Sequence, residues 1–146
     1  MITQIRYGIR VLLDLAMHQS DGVVQMNDIA DRQNISRKYL EQIIQPLKKA
    51  GFVNSKRGRS GGHILALPPE VISLAEIVRV FEPEDSDDGI PGGVGYPGYQ
   101  DALIREAWTD AKKAFYGRLS QVSLADLSID TTRMLWSDSN LLVFCD

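Results

Sequence analysis

Cysteine is nearly absent from this chain of 146 residues: Cys145 is the only one. A single thiol excludes an intramolecular disulfide and any metal site built from several thiolates. No apolar run approaches the roughly 18 residues that a membrane span needs. Arg6, Arg10 and Asp14 interrupt any apolar stretch that could serve as a signal peptide. The expectation is a cytoplasmic protein with no membrane partner. Histidine is also scarce. His18 and His63 are the only two, and neither lies near a cluster of carboxylates. With no nucleophile–base pairing and no metal-ligand spacing, nothing points to an enzyme. The glycines near residue 60 are not followed by the Lys-Ser/Thr helix start of a nucleotide-binding loop.

What is present is an apolar fraction of 44%, enough for a real core, and an uneven charge. The net charge is −3, yet residues 1–63 hold ten Lys and Arg against five Asp and Glu, while residues 64–146 hold six against fourteen. A basic half joined to an acidic half is expected when one half meets phosphates and the other does not.

The first helix is read at residues 3–18. Thr3 is its N-cap, Ile5, Ile9, Leu12, Leu13 and Ala16 form the buried stripe, and Arg6 and Arg10 lie opposite. Ser20-Asp21-Gly22 is turn chemistry, and Val23-Val24 forms a short strand or packs the turn. A second, short helix spans Met26 to Gln33, capped by Asn27, with Ile29 and Ala30 facing inward. Asn34 suits a left-handed residue at a helix C-terminus, Ile35 anchors the turn, and Ser36 caps a third helix. In that third helix Leu40, Ile43, Ile44 and Leu47 make one apolar face. Arg37, Lys38, Glu41, Gln42, Gln45, Lys48 and Lys49 fill the other. An amphipathic surface helix is the plain alternative, but the turn before it and the loop after it favour a helix-turn-helix with a recognition helix. Pro46 should bend this helix or loosen its last turns, and Gly51 ends it.

Phe52 to Lys56 and His63 to Leu67 read as two strands around Arg57-Gly58-Arg59-Ser60-Gly61-Gly62, a flexible basic hairpin tip. Such a tip suits a wing laid along a nucleic-acid backbone or minor groove. Ser73-Leu74-Ala75-Glu76 is a capping box. It opens a helix with Leu74, Ile77, Val78 and Phe81 on its apolar face, expected to pack on the first. From Glu82 to Tyr99 the chain holds five glycines, three prolines and five acids, which reads as a loop. A long helix from Asp101 to Leu119 turns Leu103, Ala107, Ala111, Ala114, Phe115 and Leu119 inward, with Trp108 beside them. That strip needs a partner, expected to be a second copy of the chain. A short capped helix at Ser123 to Leu127 follows, then a strand-like apolar tail, Leu141 to Phe144.

The chain resembles the IscR, CymR and NsrR family of bacterial winged-helix regulators, the Rrf-two family. The resemblance rests on Arg6-Tyr7, Tyr39-Leu40-Glu41-Gln42, Gly51-Phe52-Val53, Arg57-Gly58 with Gly61-Gly62, and Ser123-Leu124-Ala125-Asp126-Leu127. It implies a homodimer on an imperfectly palindromic double-stranded DNA operator. By motif position Glu41 matches a base-reading glutamate and Arg57 a wing arginine. A carboxylate can accept from cytosine N4, and Gln42 can bridge a base edge, with Lys38 beside them. Thr3, Arg6, Tyr7, Ser36, Arg37, Tyr39, Arg57, Arg59, Ser60 and Gly61 are expected at the phosphates. Family members with an iron–sulfur cluster hold it through three cysteines before the long helix. This sequence has none there, and Arg105 stands where a histidine ligand is familiar. No iron–sulfur cluster or other cofactor is expected, and the resemblance is nearest the CymR-like branch, which answers to a metabolite or a partner enzyme. Cys145 is read as a packed side chain.

The expected architecture is mainly α with a small β wing. Residues 1–82 form a winged helix-turn-helix DNA-binding domain and residues 83–99 a flexible acidic, glycine-rich sensor loop. Residues 100–146 form a dimerisation helix and tail. The expected function is a transcriptional regulator, a repressor. The alternative is an adaptor that has lost DNA binding and holds a metabolic enzyme through its acidic half.

Overall fold

The computed structural model describes residues 2–82 and 99–143. Its elements run in the order α1 (Ile2–His18), α2 (Met26–Gln33), α3 (Arg37–Lys49), β1 (Val53–Lys56), β2 (Gly62–Leu65), α4 (Leu74–Phe81), α5 (Tyr99–Ser120) and α6 (Leu124–Val143). The helical expectation with a two-stranded wing is borne out.

α1 is the central post of the molecule. Its fully buried positions are Val11, Leu12 and Leu15, with Gly8 pressed against the ring of Phe81 from α4. The expected stripe was rotated by part of a turn. Leu12 is in the core, whereas Ile9, Leu13 and Ala16 only flank it. The reason is that one side of α1 buries a charge: Asp14 is 4% exposed. Thr3 is not a cap, because the helix already includes Ile2.

α2 ends as its sequence requires. Asn34 adopts φ 53° and ψ 51°, the left-handed region, and its N–H bonds back to the carbonyls of Ala30 and Asp31. The N-cap of α2 is Gln25 rather than Asn27. Asn27 lies inside the first turn, where its side chain is free to serve α3. α3 starts on Ser36, whose hydroxyl accepts from the Tyr39 N–H at 3.1 Å. Leu40, Ile43, Ile44 and Leu47 are all buried, each contributing about 1.5–3 kcal/mol of apolar burial. That burial overrides Pro46, through which the helix continues to Lys49. The proline leaves the Gln42 carbonyl without an intrahelical donor, at a residue on the solvent face.

The wing strands are antiparallel, with Val53 opposite Leu65 and Lys56 opposite Gly62, each a little shorter than expected. Val24 bonds to His63 in both directions at 2.8 Å, so the Val23-Val24 segment ties the wing to the α1–α2 connection. Two of the tip glycines, Gly61 and Gly62, are close-packed, which corrects the reading of them as flexibility alone; Gly58 has open space and φ 110°. A Cβ on Gly61 would strike the carbonyls of Lys56 and Gly58, and one on Gly62 would strike the carbonyl of Val24.

α4 begins on the expected capping box, Ser73 with Glu76, and packs on α1. Ser123 and Asp126 repeat the device at the start of α6. The Ser123 N–H holds the Asp126 carboxyl below the usual carboxylate range. The two caps sit back to back. The Leu74 N–H donates to the Val122 carbonyl at 2.9 Å, and the Leu124 N–H to Ile72 at 2.8 Å. Leu124 is completely buried in the same core as α1 and α3. The capped helix is not short. α6 runs 20 residues, and Leu141 to Val143 continue it as helix rather than strand. Phe144 and Cys145, and the loop expected at 83–99 except its last residue, lie outside the described residues.

Candidate nucleic-acid interface

The exposed face of α3 is held by a chain of polar and aromatic contacts running across three helices. The rings of Tyr7 in α1 and Tyr39 in α3 meet edge to face, 5.5 Å apart. The Arg10 guanidinium lies over Tyr7 at 5.1 Å and donates to the Gln33 side chain at 2.9 Å. Gln33 in turn donates to Asp14 at 2.9 Å. Arg32 closes the set with two bonds to the Asp14 carboxylate, 2.9 and 2.7 Å, which raise its pKa. Buried carboxylates need such partners, and here the partners tie α1 to α2, while Tyr7 against Tyr39 joins α1 to α3. The reading from sequence passed over Asp14, Arg32 and Gln33. The available signal was a lone acid inside an otherwise apolar helix.

On the face so positioned, Lys38, Glu41 and Gln42 are exposed together. Arg37 pairs with Glu41 at 3.6 Å and donates to Asn27 at 3.5 Å. Beside them is a cleft of about 280 Å³ between the starts of α2 and α3 and the wing. Gln25, Asn27, Arg37, Lys56, Arg59 and His63 contribute to its lining. Its three cations, Arg37, Lys56 and Arg59, suit a phosphate chain. The Ser36 hydroxyl is engaged in capping α3. Tyr7 and Tyr39 are half-buried, while Thr3, Arg6, Arg57 and Ser60 are exposed and Gly61 forms the packed tip. His63 donates to or accepts from Ser55 at 2.8 Å. Its burial, and after it the charge of Lys48, lower its pKa.

The sequence pattern of the family described as Rrf2, iron-dependent transcriptional regulator, matches residues 1–130. The chain belongs to the Rrf2 family. It is 42% identical over 134 residues to the protein rrf2 of Nitratidesulfovibrio vulgaris, covering 89% of this chain and 87% of that one. Among solved structures it is similar to IscR of T. potens, with TM-score 0.71, 36% identity and coverage of 88% and 85%. It is also similar to CymR of B. subtilis, with TM-score 0.68, 33% identity and coverage of 86% and 93%. Rrf2 membership bears out the expected family, makes the chain a DNA-binding transcriptional regulator and not an enzyme, and is consistent with the CymR-like branch.

The family description includes iron, and the donors of this chain do not suit a thiolate-held cluster. Cys145 is the single cysteine, with none from Glu82 to Tyr99. Among the described residues no three His, Cys, Asp or Glu converge as a metal site. No helix of the described residues is long and apolar enough to cross a membrane.

The strip expected at the dimer contact is on the surface of the single chain. Leu103 is 65% exposed, Trp108 49% and Phe115 52%. Ala107 and Ala111 are exposed beside them, and Leu119 is half-buried. α5 is fastened to α4 at its far end. Tyr116 donates to Glu82 and carries Arg79 over its ring at 4.7 Å. Burial and the Glu82 bond push the Tyr116 pKa up to about 12.

Proposed function

We propose that this chain is a homodimeric repressor of an imperfectly palindromic operator in the cytoplasm, released by a signal sensed without a cysteine-ligated iron–sulfur cluster. The observation that carries the reading is the shared exposure of Lys38, Glu41 and Gln42 on α3 beside the cationic cleft of the wing. Glu41 and Gln42 carry the acceptors and donors that distinguish base edges in a major groove, with Lys38 alongside. Arg6, Arg37, Arg57, Arg59 and the backbone around Ser60 and Gly61 hold phosphates, which set register but not sequence. Tyr7 and Tyr39 support that register through their mutual packing. α5 supplies the dimer contact through Leu103, Ala107, Trp108, Ala111, Phe115 and Leu119, placing two α3 helices on successive turns of one duplex face. The effector is a metabolite or a partner enzyme.

The test is a pair of substitutions measured on one operator and its single-base variants. Glu41→Ala should lose discrimination at one base position per half-site, about 1–3 kcal/mol there. Arg59→Ala should weaken every sequence alike and lower the salt dependence by about one ion. Uniform weakening by Glu41→Ala would remove its base-reading role.

A further inference from the structure

Arg37 opens α3 and stands where three features meet. Its Nε lies 3.6 Å from a Glu41 carboxylate oxygen one turn further on. Its Nη1 donates to the Asn27 side chain of α2 at 3.5 Å. Its side chain also lines the cleft shared with Lys56 and Arg59. Both members of the ion pair are more than half exposed, 64% and 53%, so the pair is weak and modulates rather than abolishes the Glu41 charge. Among the described residues Arg37 is the cation paired with Glu41.

A bare carboxylate on a reading face is selective because it is intolerant. It accepts from the amino group of cytosine, and it is repelled by guanine O6 and N7, by thymine O4 and by phosphates. A guanidinium one turn away cancels part of that charge. Asn27 and the cleft engage other parts of the guanidinium, so a phosphate bound in the cleft leaves the Nε beside Glu41.

We propose that Arg37 is a positioning residue that sets how strict the readout is. By pairing with Glu41 it softens the penalty against half-sites with no amino donor opposite Glu41, and so widens the range of operators accepted. The proposal rests on the reading of Glu41 as the base-reading acid.

The experiment uses the purified full chain and two labelled duplexes: the preferred site, and the same site changed at the base pair that Glu41→Ala relaxes. The readout is the ratio of the two dissociation constants. Arg37→Ala and Arg37→Gln should weaken both duplexes and raise the ratio about two- to five-fold, the size of a screened surface pair. Arg37→Lys should restore the ratio. In a Glu41→Ala background Arg37→Ala should weaken both duplexes equally. Equal weakening in the native background, or a fall in the ratio, overturns the proposal while leaving Glu41 as the reader. If Glu41→Ala itself leaves base preference unchanged, the base-reading assignment fails and takes this proposal with it.

Discussion

Residue chemistry decides how firmly the helices beneath α3 are held together. Asp14 is the clearest case: a buried carboxylate saturated by Arg32 and Gln33. Removing it strands part of a desolvated guanidinium network. Because Arg32 is itself about one-third exposed, the expected cost of Asp14→Ala is about 2–3 kcal/mol, read as a drop in urea midpoint at unchanged slope. His63 supplies a pH signature. Its folded pKa lies below that of the unfolded chain, so the folded protein resists a proton that the unfolded chain accepts near pH 6.5. The stability this confers is complete above that pH and is lost as the pH falls through the folded value. The melting temperature should therefore fall on acidification below about pH 6.5, and His63→Gln should flatten that part of the profile. An identical slope in the variant would contradict it. At this scale Asn34 and Ser36 were legible in the sequence, because a left-handed turn and an N-cap each depend on one local side chain. Asp14 was not, because its partners lie 18 and 19 positions away and no local rule joins them.

Elements were legible where one face decides them. All four buried residues of α3 follow from its spacing, and Ser73 with Glu76 marks the start of α4. The phase of α1 was not, because the helix is surrounded. It meets α2, α3, α4, α6 and β2, and one close contact is made by the absence of a side chain. Gly8→Ala would drive a methyl group into the Phe81 ring. The expected loss is about 1–3 kcal/mol, measured by thermal or urea unfolding, and unchanged stability would contradict the close α1–α4 contact. α6 was read as too short for a related reason. Its hydrophobic residues do not fall on one narrow stripe: Trp136 is 68% exposed although the helix start is buried. An apolar end without a strong helical period is ambiguous between helix and strand.

At the scale of the described residues, α1 to α4 and the wing form one packed unit; α6 packs on α1 and α5 on α4, and two sets of contacts fasten them. One tie is the pair of back-to-back caps around Ser73 and Ser123 with buried Leu124. The other is Tyr116 against Glu82 and Arg79. Through these ties α5 is joined to α4, which packs on the post, α1. Large apolar side chains exposed on α5 cost little only if something covers them. Trp108→Glu is expected to shift the protein to monomer in sedimentation equilibrium and to weaken operator binding at least ten-fold. A variant that remains dimeric would place the dimer contact elsewhere. Anaerobically purified protein should be colourless and free of stoichiometric iron, and a brown, iron-bearing sample would contradict cluster-free sensing. A paired α3 and wing should read sequence specifically. That readout is tested most directly by selecting binders for the purified protein from a pool of random duplexes. The expected result is enrichment of one inverted repeat whose half-sites lie about one helical turn apart or a multiple of it. Recovery of no preferred sequence, with only salt-sensitive uniform binding or none, would contradict it.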